Sequence, residues 1–149
     1  MAHMQPDALR KCSDPPPGPP PGLPVRKVFR SDPEAAGKVR RFVREQLAKE
    51  EPALTCEQVD NLCLIASELA TNAIRYGTEP GDSFAVVVLP TPDEVRIEVW
   101  DPVRRLPRLR NDSDERARGR GLHIVDRLAA RWNATERPFG KAVWAEVAR

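Results

Sequence analysis

"SELATNAIRYG", residues 67–77, is the stretch on which the reading of this chain turns. Leu69, Ala70, Ala73 and Ile74 give it the character of a buried helix, yet Glu68 and Asn72 sit inside it four residues apart. Four residues on a helix is about one turn, so a carboxylate and an amide stack on one face. An amide oxygen is a hard donor of the kind magnesium accepts beside phosphates and water. A carboxylate one turn away can orient or deprotonate an attacking hydroxyl. The structural alternative is a mutually satisfied polar pair where a helix meets a loop.

Upstream, "TCEQ" (55–58) has capping-box spacing, with Thr55 as N-cap and Gln58 three residues on, so this helix is expected from there to about Tyr76. Gly77 is read as its left-handed terminus. Val59, Leu62, Cys63, Ala66, Leu69, Ala70 and Ala73 trace a core face, and Leu64 with Ile65 predicts cover on both sides. Before it, "SDPE" (31–34) predicts a capping box from Ser31 to Glu34. The helix that follows carries Ala35, Val39, Phe42, Val43 and Leu47 inward and Arg40, Arg41 and Arg44 outward, and Pro52 ends it. That basic face is either solvated or a contact for a partner.

"VRKVF" (25–29) reads as an edge strand, and "SFAVVVL" (83–89) with "EVRIEVW" (94–100) as an antiparallel hairpin. Val95, Ile97 and Val99 alternate with Arg96, Glu98 and Trp100, which predicts one packed face and one more open face. A charged stretch from 102 to 118 lacks any period. "GLHIVDRLAARW" (121–132) then predicts a third helix, and "RWNATER" with "KAVWAEVA" a closing hairpin. Strand, helix, helix, two strands, loop, helix, two strands is the order of an α+β two-layer sandwich.

The 149 residues suffice for one domain with its own core, and from a net charge of only +2 no general polyanion-binding role follows. The opening "MAHM" reads as part of an expression tag. Residues 14–24, "DPPPGPPPGLP", cannot build a core, so 1–24 is expected to be a disordered tail, with an SH3-type ligand as alternative, and 25–149 the domain. No apolar run reaches the roughly 20 residues of a membrane span, and no secretory signal pattern is present, so a cytoplasmic protein is expected. Cys12, Cys56 and Cys63 lack C-x-x-C spacing and read as small buried thiols. The arginines between 104 and 120 are interrupted by Asp112, Asp114 and Glu115 without interleaved aromatics, which argues against direct nucleic-acid binding.

Two further polar features stand outside the core pattern. Asp101 follows the strand "RIEVW", where a carboxylate can accept from an exocyclic amine or simply cap a turn. "RGRGL" (118–122) brings Gly119 and Gly121 to a predicted helix start, whose free N–H groups suit phosphate.

In this order, residues 62 to 147 resemble the GHKL superfamily of Bergerat-fold ATPases and kinases. They are most similar to the small anti-sigma-factor serine kinases of the RsbW and SpoIIAB type. "SELATNAIRYG" is similar to the N box, "VWDP" stands at the first glycine box, "GRGLHIVDRLA" is similar to the second, and "GKAVWAEV" resembles the closing strand. The resemblance implies a mixed, mostly antiparallel sheet covered on one face by three helices. It implies ATP and Mg2+ as cofactors, with Asn72 as magnesium ligand and Glu68 as general base or orienting group. Asp101 would bind the adenine amine, and Arg118, Gly119, Arg120, Gly121 and Leu122 would wrap the phosphates. Residues 103–118 would form an ATP lid, whose arginines, with Arg75, would stabilise the transferred charge. The implied partners are a STAS-domain anti-anti-sigma protein, a sigma factor and a second copy of the chain. The first glycine box departs from the pattern, since "DPVRRLP" has no glycine after Asp101. Tyr76 replaces a histidine, and Ala142 stands where a threonine or serine usually helps hold adenine, so the resemblance also implies weakened ATP binding. A binding module of this fold without catalysis is the alternative.

Overall fold

The computed structural model describes residues 24–102 and 116–149, with side chains described again from residue 121. Its elements are β1 (Val25–Arg30), α1 (Ala35–Leu47), α2 (Cys56–Asn72), one π-helical turn (Ala73–Gly77), β2 (Ser83–Pro90), β3 (Glu94–Asp101), α3 (Arg116–Leu128), β4 (Arg131–Arg137) and β5 (Gly140–Ala148). The strands form one sheet in the order β1-β2-β3-β5-β4, and each described pairing is antiparallel. The expected two-layer α+β sandwich is thus present, with antiparallel pairing throughout the described strands. The tail and the segment 103–115 expected to be a lid lie outside the described residues.

The core is the seam between the helices and the inner sheet face, where Val86, Val95, Ile97 and Val125 are fully enclosed against Val39, Leu62 and Ile65. Burying side chains of this size contributes about 1.5–3 kcal/mol each. Phe29 stacks on Phe84 and meets Phe42 edge-on, both at 5.8 Å between ring centroids, which ties β1 to β2 and α1.

Local expectations fared unevenly. The Thr55–Gln58 capping box is formed, with both reciprocal bonds, at 3.1 and 2.8 Å. The Ser31 box is not: α1 begins at Ala35, Asp32 accepts from the Glu34 amide, and the Ser31 hydroxyl bonds Thr78 across the fold. A distant partner won over a local cap. Helix α1 ends at Leu47, ahead of Pro52. Helix α2 is flanked by α1 and α3 and rests on the sheet, so both of its sides are covered as expected, with Ile65 fully buried and Leu64 left exposed at the outer edge. Cys63 is buried and Cys56 exposed, while Cys12 lies outside the described residues. Burial pushes the Cys63 thiol up.

The outer sheet face is less open than the alternation predicts. Arg96, Glu98 and Glu146 are all buried there. Arg96 donates to Glu146 Oε2 at 2.9 and 3.1 Å and to Glu98 at 3.3 Å, and the Trp100 indole donates to Glu98 at 2.8 Å. Arg131 bridges Glu146 at 2.8 Å and Glu94 at 3.1 Å. Burial pushes the Glu94 carboxyl up, reinforced by Glu146. Burial also pushes Glu146 upward, but its hydrogen bond from Glu94 and the Arg96 and Arg131 charges outweigh that and hold it below the usual range. Charged Glu94 therefore costs stability at neutral pH. We expect Glu94→Gln to stabilise the fold at pH 7 by at most about 1 kcal/mol, since the site is partly solvated. The gain should fade as pH falls through the raised Glu94 value to below the unfolded one, where both side chains are neutral. Urea titrations at several pH values check it.

Candidate functional site

Helix α2 carries Glu68 and Asn72 to its C-terminal end, where both side chains are half-buried. Directly after Asn72 the winding loosens into the π-helical turn, a feature frequent at functional sites. Thr78 closes this turn by donating its hydroxyl to the Ala73 carbonyl at 2.9 Å, with Ile74 at 3.3 Å. Helix α3 packs along α2 with the backbone of Gly121 against the polar pair. A Cβ at Gly121 would stand 2.8 Å from Glu68 Oε2 and 3.5 Å from Asn72 Oδ1. The N-box pair and the second glycine segment, some fifty positions apart in sequence, meet at one backbone position.

Asp101 is the last residue of β3 rather than a residue beyond it, and it faces Lys141 across the β3–β5 ladder. The Lys141 ammonium lies 2.9 Å from Asp101 Oδ1, with both side chains almost fully enclosed. The other carboxylate oxygen rests on Gly77, where a Cβ would come within 2.5 Å of Oδ2. Gly77 does not have the left-handed conformation expected of a helix terminus. Its missing side chain makes room for Asp101 instead. Gly140, at φ +149°, closes the third side, since a Cβ there would stand 1.9 Å from the Asp101 carbonyl oxygen. The π-helical turn links the two halves: Asn72 precedes it, and Gly77, its last residue, touches Asp101.

Lys141, Gly77 and Gly140 were not singled out for these contacts from sequence. The signal available was the register of β5, which sets opposite charges directly across from one another. The same register corrects the expectation for Ala142. Side chains alternate along a strand, so Ala142 points to the outer face beside Trp144 and Trp100, and Lys141 holds the inner position opposite Asp101.

Arg75 is exposed on the π-helical turn, and Leu122 is buried, so Leu122 can offer a ligand only its backbone. Helix α3 begins at Arg116, three residues before Gly119, rather than at the glycines. A helix start frees only its first four N–H groups, so the amides of Gly121 and Leu122 lie within the hydrogen-bonded ladder. The side chains of Arg118 and Arg120 lie outside the described residues, as does the 103–115 part of the lid.

The arrangement fits a magnesium–phosphate group at its α2 end. Asn72 and Glu68 present hard oxygens next to a backbone stripped of its Cβ. No group of three or more His, Cys, Asp or Glu side chains is placed to hold a metal among the described residues. A magnesium ion here would draw most ligands from phosphate and water, as that ion commonly does. The Asp101 end fits an adenine amine less well, because Lys141 already holds one carboxylate oxygen.

No helix among the described residues is long and apolar enough to cross a membrane. No curated protein is matched by this chain. A family model described as histidine kinase-like ATPase domain matches residues 29–147, a span that runs from β1 into β5 and holds both halves of the site. With the fold, the paired glycine contacts and that match together, the chain belongs to the histidine kinase-like ATPase domain family, within the GHKL superfamily.

Proposed function

We propose that this domain is an ATP-dependent protein serine kinase of the anti-sigma-factor type. It would phosphorylate a STAS-domain antagonist, sequester a sigma factor, or do both. The observation that carries the reading is the approach of the Gly121 backbone to Glu68 and Asn72. Asn72 would offer its amide oxygen to magnesium, and Glu68 Oε2, a turn away, would accept the proton of an incoming serine hydroxyl or orient it. Bound Mg-ATP supplies the transferable phosphoryl group. Arg75, exposed on the π-helical turn, would meet phosphate charge on this reading. A homodimer, resting on resemblance, belongs to the same reading, as do a cytoplasmic location and the absence of direct nucleic-acid contact, which rest on the sequence pattern. The exposed Arg40 and Arg41 on α1 are available to a second copy, while Arg44 pairs with Asp60 of α2 at 3.1 Å.

A second reading, a binding module without turnover, is favoured by one feature: the buried Asp101–Lys141 pair competes with a base at the adenine end. Calorimetry separates the two. The kinase reading expects heat on adding Mg-ATP, with the magnesium-dependent part weakened at least about tenfold in Asn72→Ala. No heat at millimolar nucleotide would leave only the module.

A further inference from the structure

Val28 on β1 is exposed, whereas around β3 and β5 the outer sheet face is buried, on the side away from the helical core. Trp144 is fully enclosed there and clusters with Ala142 and Trp100. Arg96 lies over the Trp144 ring at 4.2 Å, which shields one side of the indole but turns the guanidinium's own far side outward. Yet Arg96 is only 6% exposed. Glu98 and Glu146 close its edges, and that outward side is the surface left for a covering segment. The Trp144 indole N–H is buried without an acceptor, and the Thr135 hydroxyl nearby on β4 is unpaired as well. Beside this cluster runs an open groove of about 410 Å³ that reaches the Asp101–Lys141 pair and is lined among others by Arg26, Val28, Trp100 and Arg137. Arg137 and Arg26 lie over the Trp100 ring at 4.1 and 5.2 Å, and Phe139 at the hairpin tip is 92% exposed.

We infer that this face is the docking groove for the chain's own proline-rich segment, residues 14–24. The segment runs straight into β1 at Val25, and β1 is the edge strand whose Arg26 and Val28 line the groove. Trp144 on β5 lies three strands over, about 14 Å at the usual spacing. Eleven residues in polyproline geometry span roughly 34 Å, enough to turn back and cross the sheet. Such helices dock in aromatic grooves, and their carbonyls are free of internal hydrogen bonds. That chemistry suits a buried indole donor lacking an acceptor. Between residues 13 and 24 the chain carries Asp14 and no basic side chain, which complements Arg26 and Arg137. The segment 103–115 carries Arg104, Arg105, Arg108 and Arg110 against Asp112, Asp114 and Glu115, remains net basic, and so complements Arg26 and Arg137 less well. Proline also loses little backbone entropy on ordering.

The test uses the full chain carrying Cys56→Ser, so that Cys12 is the accessible thiol, and Trp132→Phe, so that Trp100 and Trp144 report. A nitroxide on Cys12 should quench their emission. Replacing Pro15, Pro16, Pro17, Pro19, Pro20 and Pro21 with serine should abolish that quenching and raise the accessibility of both indoles to acrylamide. Excess synthetic peptide of residues 14–24 should release the quenching in the proline-bearing chain without opening the indoles to acrylamide. Equal quenching and equal accessibility with and without the prolines overturn the proposal. So does a rise in accessibility that appears only when the four arginines of 103–115 are replaced.

Discussion

Alanine at position 140 should destabilise the domain by about 3 kcal/mol or more. Two independent costs add there. At φ +149° the backbone disfavours any residue with a Cβ. The new methyl group would also stand 1.9 Å from the carbonyl oxygen of Asp101, 2.8 Å from its carbonyl carbon and 2.8 Å from the Pro102 Cα. All three are backbone atoms, so no side-chain rotation relieves the contact, and β3 and β5 must separate where Asp101 meets Lys141. Those two groups are buried and paired, and moving them apart leaves charges in a dry place. Urea unfolding of Gly140→Ala should show a lower midpoint with an unchanged slope, and the melting temperature should drop by roughly 10 °C or more. A cost below about 1 kcal/mol would mean that the hairpin relaxes freely and does not constrain Asp101.

Gly121→Ala should do the reverse, costing activity and not stability. The added methyl would meet Glu68 Oε2 at 2.8 Å, and that atom is the far end of a flexible side chain. Glu68 can swing aside, and alanine is favoured over glycine within a helix by up to about 1 kcal/mol. Thermal stability should therefore hold or rise slightly. The carboxylate, however, leaves its place beside Asn72, and a displacement near 1 Å in a catalytic group costs on the order of a hundredfold in rate. If the proposed kinase reading holds, phosphate transfer to a serine substrate should fall by about that factor, while Mg-ATP binding, assigned there to Asn72, falls less. Parallel loss of stability and transfer would show that Gly121 serves packing alone. Unchanged transfer would remove Glu68 from the reaction.

Much of this architecture is legible in the chain before any coordinates. Reciprocal spacing of Thr55 and Gln58 announces the start of α2, and the alternation in "RIEVW" announces a strand with one buried face, because both signals are short-range. What escapes is set by partners far along the chain. Ser31 looks like a cap until Thr78 arrives from the other side of the domain. Gly77 looks like a helix terminator, whereas its reason is the Asp101 carboxylate resting on it. Lys141 looks like any strand lysine until the β3–β5 register sets it opposite Asp101, and that same register sends Ala142 to the other face. The buried outer face is hidden for a related reason: Arg96, Glu98 and Glu146 read as solvated charges one at a time, and only their mutual pairing lets them be enclosed. Of the candidate site, Glu68, Asn72 and the glycine at 121 can be picked from spacing. How the Asp101 pocket is walled cannot.

The loosened winding between Ala73 and Gly77 works as a spacer of fixed phase. In regular α geometry each residue advances about 100° around the axis, so removing one residue from those five would swing Gly77 by roughly that angle. A neighbour with a Cβ would then point at the end of β3, and the two halves of the cleft would fall out of step. Any effort to tidy this helix into an ideal one, by design or by chance deletion, would therefore separate the Glu68–Asn72 end from the Asp101–Lys141 end while leaving those four residues in place.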